Sequence, residues 1–152
     1  MKLISDIEAN GLYQEATKIH CAVFKCADTD RVWRLTKKES IIKMLDKCTY
    51  LIMHNGIGYD LPLIKKLWGY EYKGKILDTV LMSREIFKNI PIPPKMKEDY
   101  KEAGKKLDGP HSLAAWGYRL GRGKVEVDDQ AWKGIGQDKL DIIEYWEKMN
   151  EM

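Results

Sequence analysis

Lys2-Leu3-Ile4-Ser5-Asp6-Ile7-Glu8 decides the reading of this chain. It is a short apolar strand that ends in acids. Residues two apart in a strand point to the same face. Asp6 and Glu8 therefore aim at one spot, while Ile7 turns to the core. Two ionised carboxylates a few Å apart repel each other, and a divalent cation relieves that repulsion. Mg²⁺ or Mn²⁺ suits such hard oxygen ligands. An acid-x-acid triplet is a weak signal alone, because Asp28/Asp30 and Glu126/Asp128 repeat it in the same chain. Its position at the end of an apolar strand, where open α/β sheets place their ligand crevice, raises it above the other two.

Working outward, residues 18–27 and 31–35 read as two further strands around the turn Asp28-Thr29-Asp30. Ile41, Ile42, Met44 and Leu45 form one helical face over 38–47. The continuous run Tyr50-Leu51-Ile52-Met53 fits a buried strand. It ends in the glycine-broken loop His54-Asn55-Gly56-Ile57-Gly58-Tyr59-Asp60, after which residues 61–68 repeat apolar side chains at helical spacing. A strand over 75–78 runs into a helix, another helix covers 111–120, and a last one starts at Asp138. The expected order is β-β-β-α-β-α-β-α-α. It makes an α/β fold: a mixed sheet of about five strands, the first three antiparallel, with flanking helices.

The 152 residues are enough for one domain, expected to span 1–152. No run reaches the roughly 18 apolar residues of a membrane span, and Lys2 and Asp6 fall too early for a secretory signal. A cytoplasmic protein with no membrane partner is expected. Cys21, Cys26 and Cys48 form no C-x-x-C pair, which argues against a disulfide framework and a zinc site. A net charge of +3 does not by itself indicate nucleic acid. Six lysines and three prolines between Lys88 and Lys106 read as a basic loop over about 88–110, either solvated surface or a phosphate contact.

Asp6-x-Glu8, followed about fifty residues later by Asn55-x-x-x-Tyr59-Asp60, resembles the first two motifs of the DEDD 3′–5′ exonucleases. Ser5–Asn10, His54-Asn55-Gly56, Asp78–Arg84 and the block His111-Ser112-Leu113-Ala114-Ala115-Trp116-Gly117-Tyr118-Arg119-Leu120-Gly121 resemble the proofreading domain of family-A DNA polymerases of short-tailed phages. The likeness covers nearly the whole chain. It implies a ribonuclease H-like fold and two-metal hydrolysis at the 3′ end of single-stranded DNA, with two Mg²⁺ or Mn²⁺ ions. Carried over residue by residue, Asp6 bridges both ions, Glu8 holds the water-activating ion, and Asp60 holds the second. Leu12 matches an apolar wedge against the terminal base, and Asn55 and Tyr59 match contacts to the strand end. Read locally, Leu12 and Tyr59 serve equally as core residues, and Asp60 as a helix N-cap. Asp78 reads as structural, and His111 as a helix-start histidine or a phosphate contact.

The family's third motif, Tyr-x-x-x-Asp on a late helix, has no match here. The nearest acid, Glu151, lies about seven residues before the expected aspartate, or roughly 10 Å along a helix. Metal–oxygen bonds of about 2 Å leave no slack for that offset. Glu147 is farther. Replacement therefore needs a shifted helix, a reorganised end, or an acid from another chain. Three readings follow: an active exonuclease, a non-catalytic binding module or detached half of a split polymerase working with a separate polymerase chain, and an unrelated α/β enzyme using the same crevice.

Overall fold

The computed structural model describes residues 1–122. They fall into two compact units, residues 1–79 and 80–122. The strands are β1 (Lys2–Ala9), β2 (Ile19–Cys26), β3 (Val32–Leu35), β4 (Tyr50–Met53) and β5 (Lys75–Asp78). The helices are α1 (Lys38–Lys47), α2 (Asp60–Trp68), α3 (Thr79–Ile86), α4 (Pro94–Glu102) and α5 (Leu113–Leu120). Among the described residues no helix is long and apolar enough to cross a membrane.

The strands form one sheet in the order β3-β2-β1-β4-β5. β1, β2 and β3 are antiparallel neighbours, while β4 and β5 run parallel to β1. Short turns join the antiparallel strands, whereas α1 and α2 supply the crossovers that parallel strands require. This is the mixed, ribonuclease H-like sheet expected from the sequence.

Register assigns the two faces. Leu3, Ser5 and Ile7 lie opposite Cys26, Phe24 and Ala22 on β2, and Leu3 pairs with Leu51 on β4. Apart from Ser5, these residues share one buried cluster with Ile41 and Leu45 of α1 and with Leu63 and Ile64 of α2. Both helices therefore cover the same sheet face. Burying each Leu, Ile or Phe contributes about 1.5–3 kcal/mol. The opposite face carries Ile4, Asp6, Val23 and Ile52.

Parallel pairing of β1 with β4 covers only Lys2–Ile4, yet β1 runs on to Ala9. Past Ile4 its β4-side edge is open to side chains from the loop after β4. That overhang is where Asp6 and Glu8 stand.

The second unit holds a small core of Met96, Ala114 and Ala115, with Ile92, Tyr100 and Tyr118 packed around it. The stretch expected as a basic loop over 88–110 carries α4 instead. Pro94 occupies its first turn, where the missing N–H costs nothing. Met96 is its one buried residue, so no apolar stripe marks it in the sequence. The helix expected from Asp138 lies outside the described residues.

Candidate active site

The carboxylates of Asp6 and Glu8 stand on the same face of β1, as alternation requires. A register shift between Glu8 and Ala9 ends regular pairing with β2 there. Such an irregularity typically re-aims the adjoining side chains. Asp60 comes from the far side of the loop. The Ile7 backbone N–H, lying between the two acids in sequence, donates to Asp60 Oδ1 at 3.3 Å. An edge group of β1 that β4 no longer reaches thus takes a carboxylate instead of a strand.

Asp60 is only 4% exposed. Burial, then the charge of Asp6, then that of Glu8 push its carboxyl pKa up from 3.8 to about 7, against the opposing pull of backbone N–H groups, Ile7's among them. Its own burial, and then the charges of Asp60, Glu8 and Asp6, raise the Tyr59 phenol. The electrostatics therefore group Asp6, Glu8, Tyr59 and Asp60 at one locus. Asp60 is the first residue of α2 rather than its N-cap; Tyr59 holds that position without a side-chain cap. The local N-cap reading is thus corrected, since the Asp60 carboxylate reaches across 53 residues of sequence to Ile7.

The loop before α2 is held from β5. Asp78, 4% exposed, accepts the Asn55 N–H at 3.1 Å and the Ile57 N–H at 3.0 Å. Thr79 Oγ1 donates to the Met53 carbonyl at 3.2 Å and faces His54 Nδ1 at 2.9 Å. With that hydroxyl proton spent on Met53, His54 must donate from Nδ1. Burial lowers the His54 pKa, so the neutral ring is favoured despite Asp78 nearby. Asn55 adopts a left-handed φ of 66°, which asparagine tolerates. A Cβ on Gly56 would lie 2.5 Å from the Met53 Cβ. The role of Asp78 as organiser of this loop had no local signal beyond an acid at a strand end.

The three residues read as strand-end contacts are placed as follows. Leu12 is 71% exposed, which corrects the core reading. Asn55 is exposed on the loop. Tyr59 packs partly against the main core and donates its hydroxyl to the Gly11 carbonyl at 2.6 Å. Glu147 and Glu151 lie outside the described residues. His111 precedes α5, whose N-cap is Ser112, and its Nδ1 lies 2.7 Å from Ser83 Oγ, a pairing the sequence did not suggest.

A buried carboxyl whose pKa is raised by its burial and by neighbouring carboxylates is the chemistry a divalent cation relieves. In donor chemistry, then, Asp6, Glu8 and Asp60 fit Mg²⁺ or Mn²⁺. Among the described residues no three His, Cys, Asp or Glu side chains are grouped closely enough to hold one ion. The fit is one of chemistry and locus.

No protein-family model matches the chain. The DNA-directed DNA polymerase of Escherichia phage T7 is 30% identical over 167 residues, spanning 99% of this chain and 24% of the polymerase. That of Enterobacteria phage T3 is 31% identical over 170 residues, with the same coverage. Among solved structures, the family B DNA polymerase of the archaeon Pyrobaculum calidifontis covers 73% of this chain and 20% of its own, at 13% identity and a TM-score of 0.44. The chain spans about a quarter of the length of the phage relatives. Over nearly its whole length, then, the chain is similar to a part of the DNA-directed DNA polymerases of phages T7 and T3.

Proposed function

We propose that the chain is a metal-dependent 3′–5′ exonuclease domain that hydrolyses phosphodiester bonds at the 3′ end of single-stranded DNA, in the two-metal class. One observation carries this reading: the Asp60 carboxylate is bonded to the backbone N–H of Ile7, between Asp6 and Glu8. That bond brings Asp60, from a distant part of the sequence, to the strand that bears Asp6 and Glu8, at the open end where an α/β sheet binds its ligand.

Asp6, Glu8 and Asp60 would hold Mg²⁺ or Mn²⁺. Such ions, when bound, neutralise charge and lower the pKa of a water. The chain's own residues do the rest. Ile7 N–H orients Asp60, and Asp78 fixes the loop bearing Asn55 and Tyr59. Leu12, exposed beside the strand end, would meet the terminal base, and Asn55 and Tyr59 would flank the strand.

The test is a 5′-labelled single-stranded oligonucleotide incubated with Mg²⁺ or Mn²⁺. A ladder shortened one nucleotide at a time is expected, and Asp6→Ala should abolish it while the protein stays folded. Undiminished shortening by the Asp6→Ala protein sinks the assignment.

A second reading, a non-catalytic DNA-binding half that works with a separate polymerase chain, is favoured by the missing grouping of three ligating side chains among the described residues. It predicts oligonucleotide binding without a ladder, and cleavage at ordinary enzyme rates, on the order of 1 s⁻¹ or more, excludes it.

A further inference from the structure

Residues 10–18 link β1 to β2 through a turn tied down at its base and from α2. At the base, the Asn10 N–H donates to the Lys18 carbonyl at 3.1 Å. The Asn10 side-chain oxygen accepts the Thr17 and Lys18 N–H groups at 2.9 and 3.0 Å, and its amide nitrogen donates to Thr17 Oγ1 at 2.9 Å. Within the turn, the Leu12 carbonyl accepts the Glu15 and Ala16 N–H groups at 2.9 and 2.7 Å. That single helical turn leaves its next carbonyls without intrahelical partners. Lys66 of α2 supplies them. Its ammonium donates to the carbonyls of Tyr13 at 2.6 Å, Gln14 at 3.1 Å and Ala16 at 3.3 Å, and lies 5.2 Å from the centre of the Tyr13 ring.

An ammonium has three N–H donors, and three carbonyls take them here. An exposed lysine of a nucleic-acid-binding protein is ordinarily assigned to a phosphate. The geometry points to a different assignment. We infer that Lys66 is a positioning residue which, with Asn10, locks the 10–18 turn so that Leu12 is held rigidly outward, and that it spends its charge on the turn's carbonyls rather than on phosphate. An apolar wedge works only if its backbone is ordered before the strand arrives, because ordering it on binding would subtract from affinity. What Leu12 meets rests on the exonuclease reading above; the clamp itself rests on the hydrogen bonds alone.

Lys66→Met keeps the aliphatic stem and removes the donors. Its binding to a single-stranded oligonucleotide with a phosphorothioate 3′ linkage is measured by anisotropy over a salt series. The expected result is affinity about 3- to 10-fold weaker, an unchanged slope of log Kd against log salt, partial recovery in Lys66→Arg, and no further loss when Lys66→Met is added to Leu12→Ala. A slope shallower by about 0.7, the signature of one lost phosphate contact on a single strand, overturns the assignment. Equal losses from Lys66→Met with and without Leu12 also overturn it.

Amide exchange separates the clamp from the DNA reading. Glu15 and Ala16 N–H should exchange about 10-fold faster in Lys66→Met. Unchanged exchange rejects the clamp whether or not DNA binds. A wild-type chain that binds no oligonucleotide removes Leu12's assigned partner and defeats the exonuclease reading, and the exchange result then decides the clamp by itself.

Discussion

Asp60 at the end of β1 and Ser83 in α3 are almost equally buried, 4% and 5% exposed, and each gathers polar groups from distant sequence. Around Ser83 the groups are matched by hydrogen bonds. The Trp116 Nε1–H donates to Ser83 Oγ at 3.0 Å, and the hydroxyl faces His111 Nδ1 at 2.7 Å. Around Asp60 the neighbouring charges have the same sign as its own, and its pKa is pushed up to about 7. A satisfied polar centre holds a fold. A buried acid pressed by like charges opposes folding and persists where chemistry needs it.

The sharpest way to break this contrast is Asp60→Asn. The amide oxygen still accepts the Ile7 N–H, but metal-dependent cleavage should fall on the order of 10²-fold or more, as when a transition-state electrostatic contact is lost. Stability should move the other way. The folded protein holds the Asp60 proton more tightly than the unfolded chain, whose carboxyl keeps an ordinary value near 3.8. The stability this group contributes is therefore full below pH 3.8 and lost as pH rises through about 7. Without divalent ions, Asp60→Asn should accordingly gain in Tm relative to wild type between pH 5 and pH 8. A difference in Tm that does not vary with pH would show that Asp60 is not strained by its neighbours.

Ser83→Ala strands both the Trp116 N–H and His111 Nδ1, and should cost about 1–3 kcal/mol of stability by denaturant unfolding. Cleavage per folded molecule should not change; a specific loss of activity would dissolve the contrast. Gly56→Ala sets a Cβ against Met53, whose Cβ is fixed by β4, and should cost a similar or smaller amount, about 1–3 kcal/mol. It should also disturb the loop bearing Asn55 and Tyr59, seen as faster exchange of the Asn55 and Ile57 amides bonded to Asp78. The smallest effect is expected from Leu12→Ala. With the side chain 71% exposed, unfolding free energy should stay within about 0.5 kcal/mol of wild type, while oligonucleotide binding weakens.

Much of this was legible in the sequence, and the exceptions share a cause. Alternation in residues 2–8 placed Asp6 and Glu8 on one face opposite Leu3 and Ile7, because strand geometry fixes the parity of side chains. The apolar run at 50–53 and the glycines at 56 and 58 marked β4 and its tight loop. Helix α4 was missed because its amphipathicity is a single methionine among lysines, and its stability comes from packing of Met96 rather than from a stripe. Asp60 and Asp78 were recognisable as acids in informative places. Their partners, Ile7 on one side and Asn55 and Ile57 on the other, lie 21 to 53 residues away, and no local pattern encodes a carboxylate reaching a backbone amide across that distance. The exposure of Leu12 was undecidable locally for the same reason, since Asn10, Tyr59 and Lys66 together hold its turn outward.

The strict alternation of β1 has an evolutionary consequence. One strand carries the core on its odd positions and the acids on its even ones. Deleting or inserting a single residue between Leu3 and Asp6 would put Leu3 on the same face as the acids, so that either the carboxylates are buried or Leu3 is exposed. A lineage can shed Asp6 or Glu8 by point substitution and still fold. It cannot change the length of this strand by one residue, so the spacing should outlast the activity.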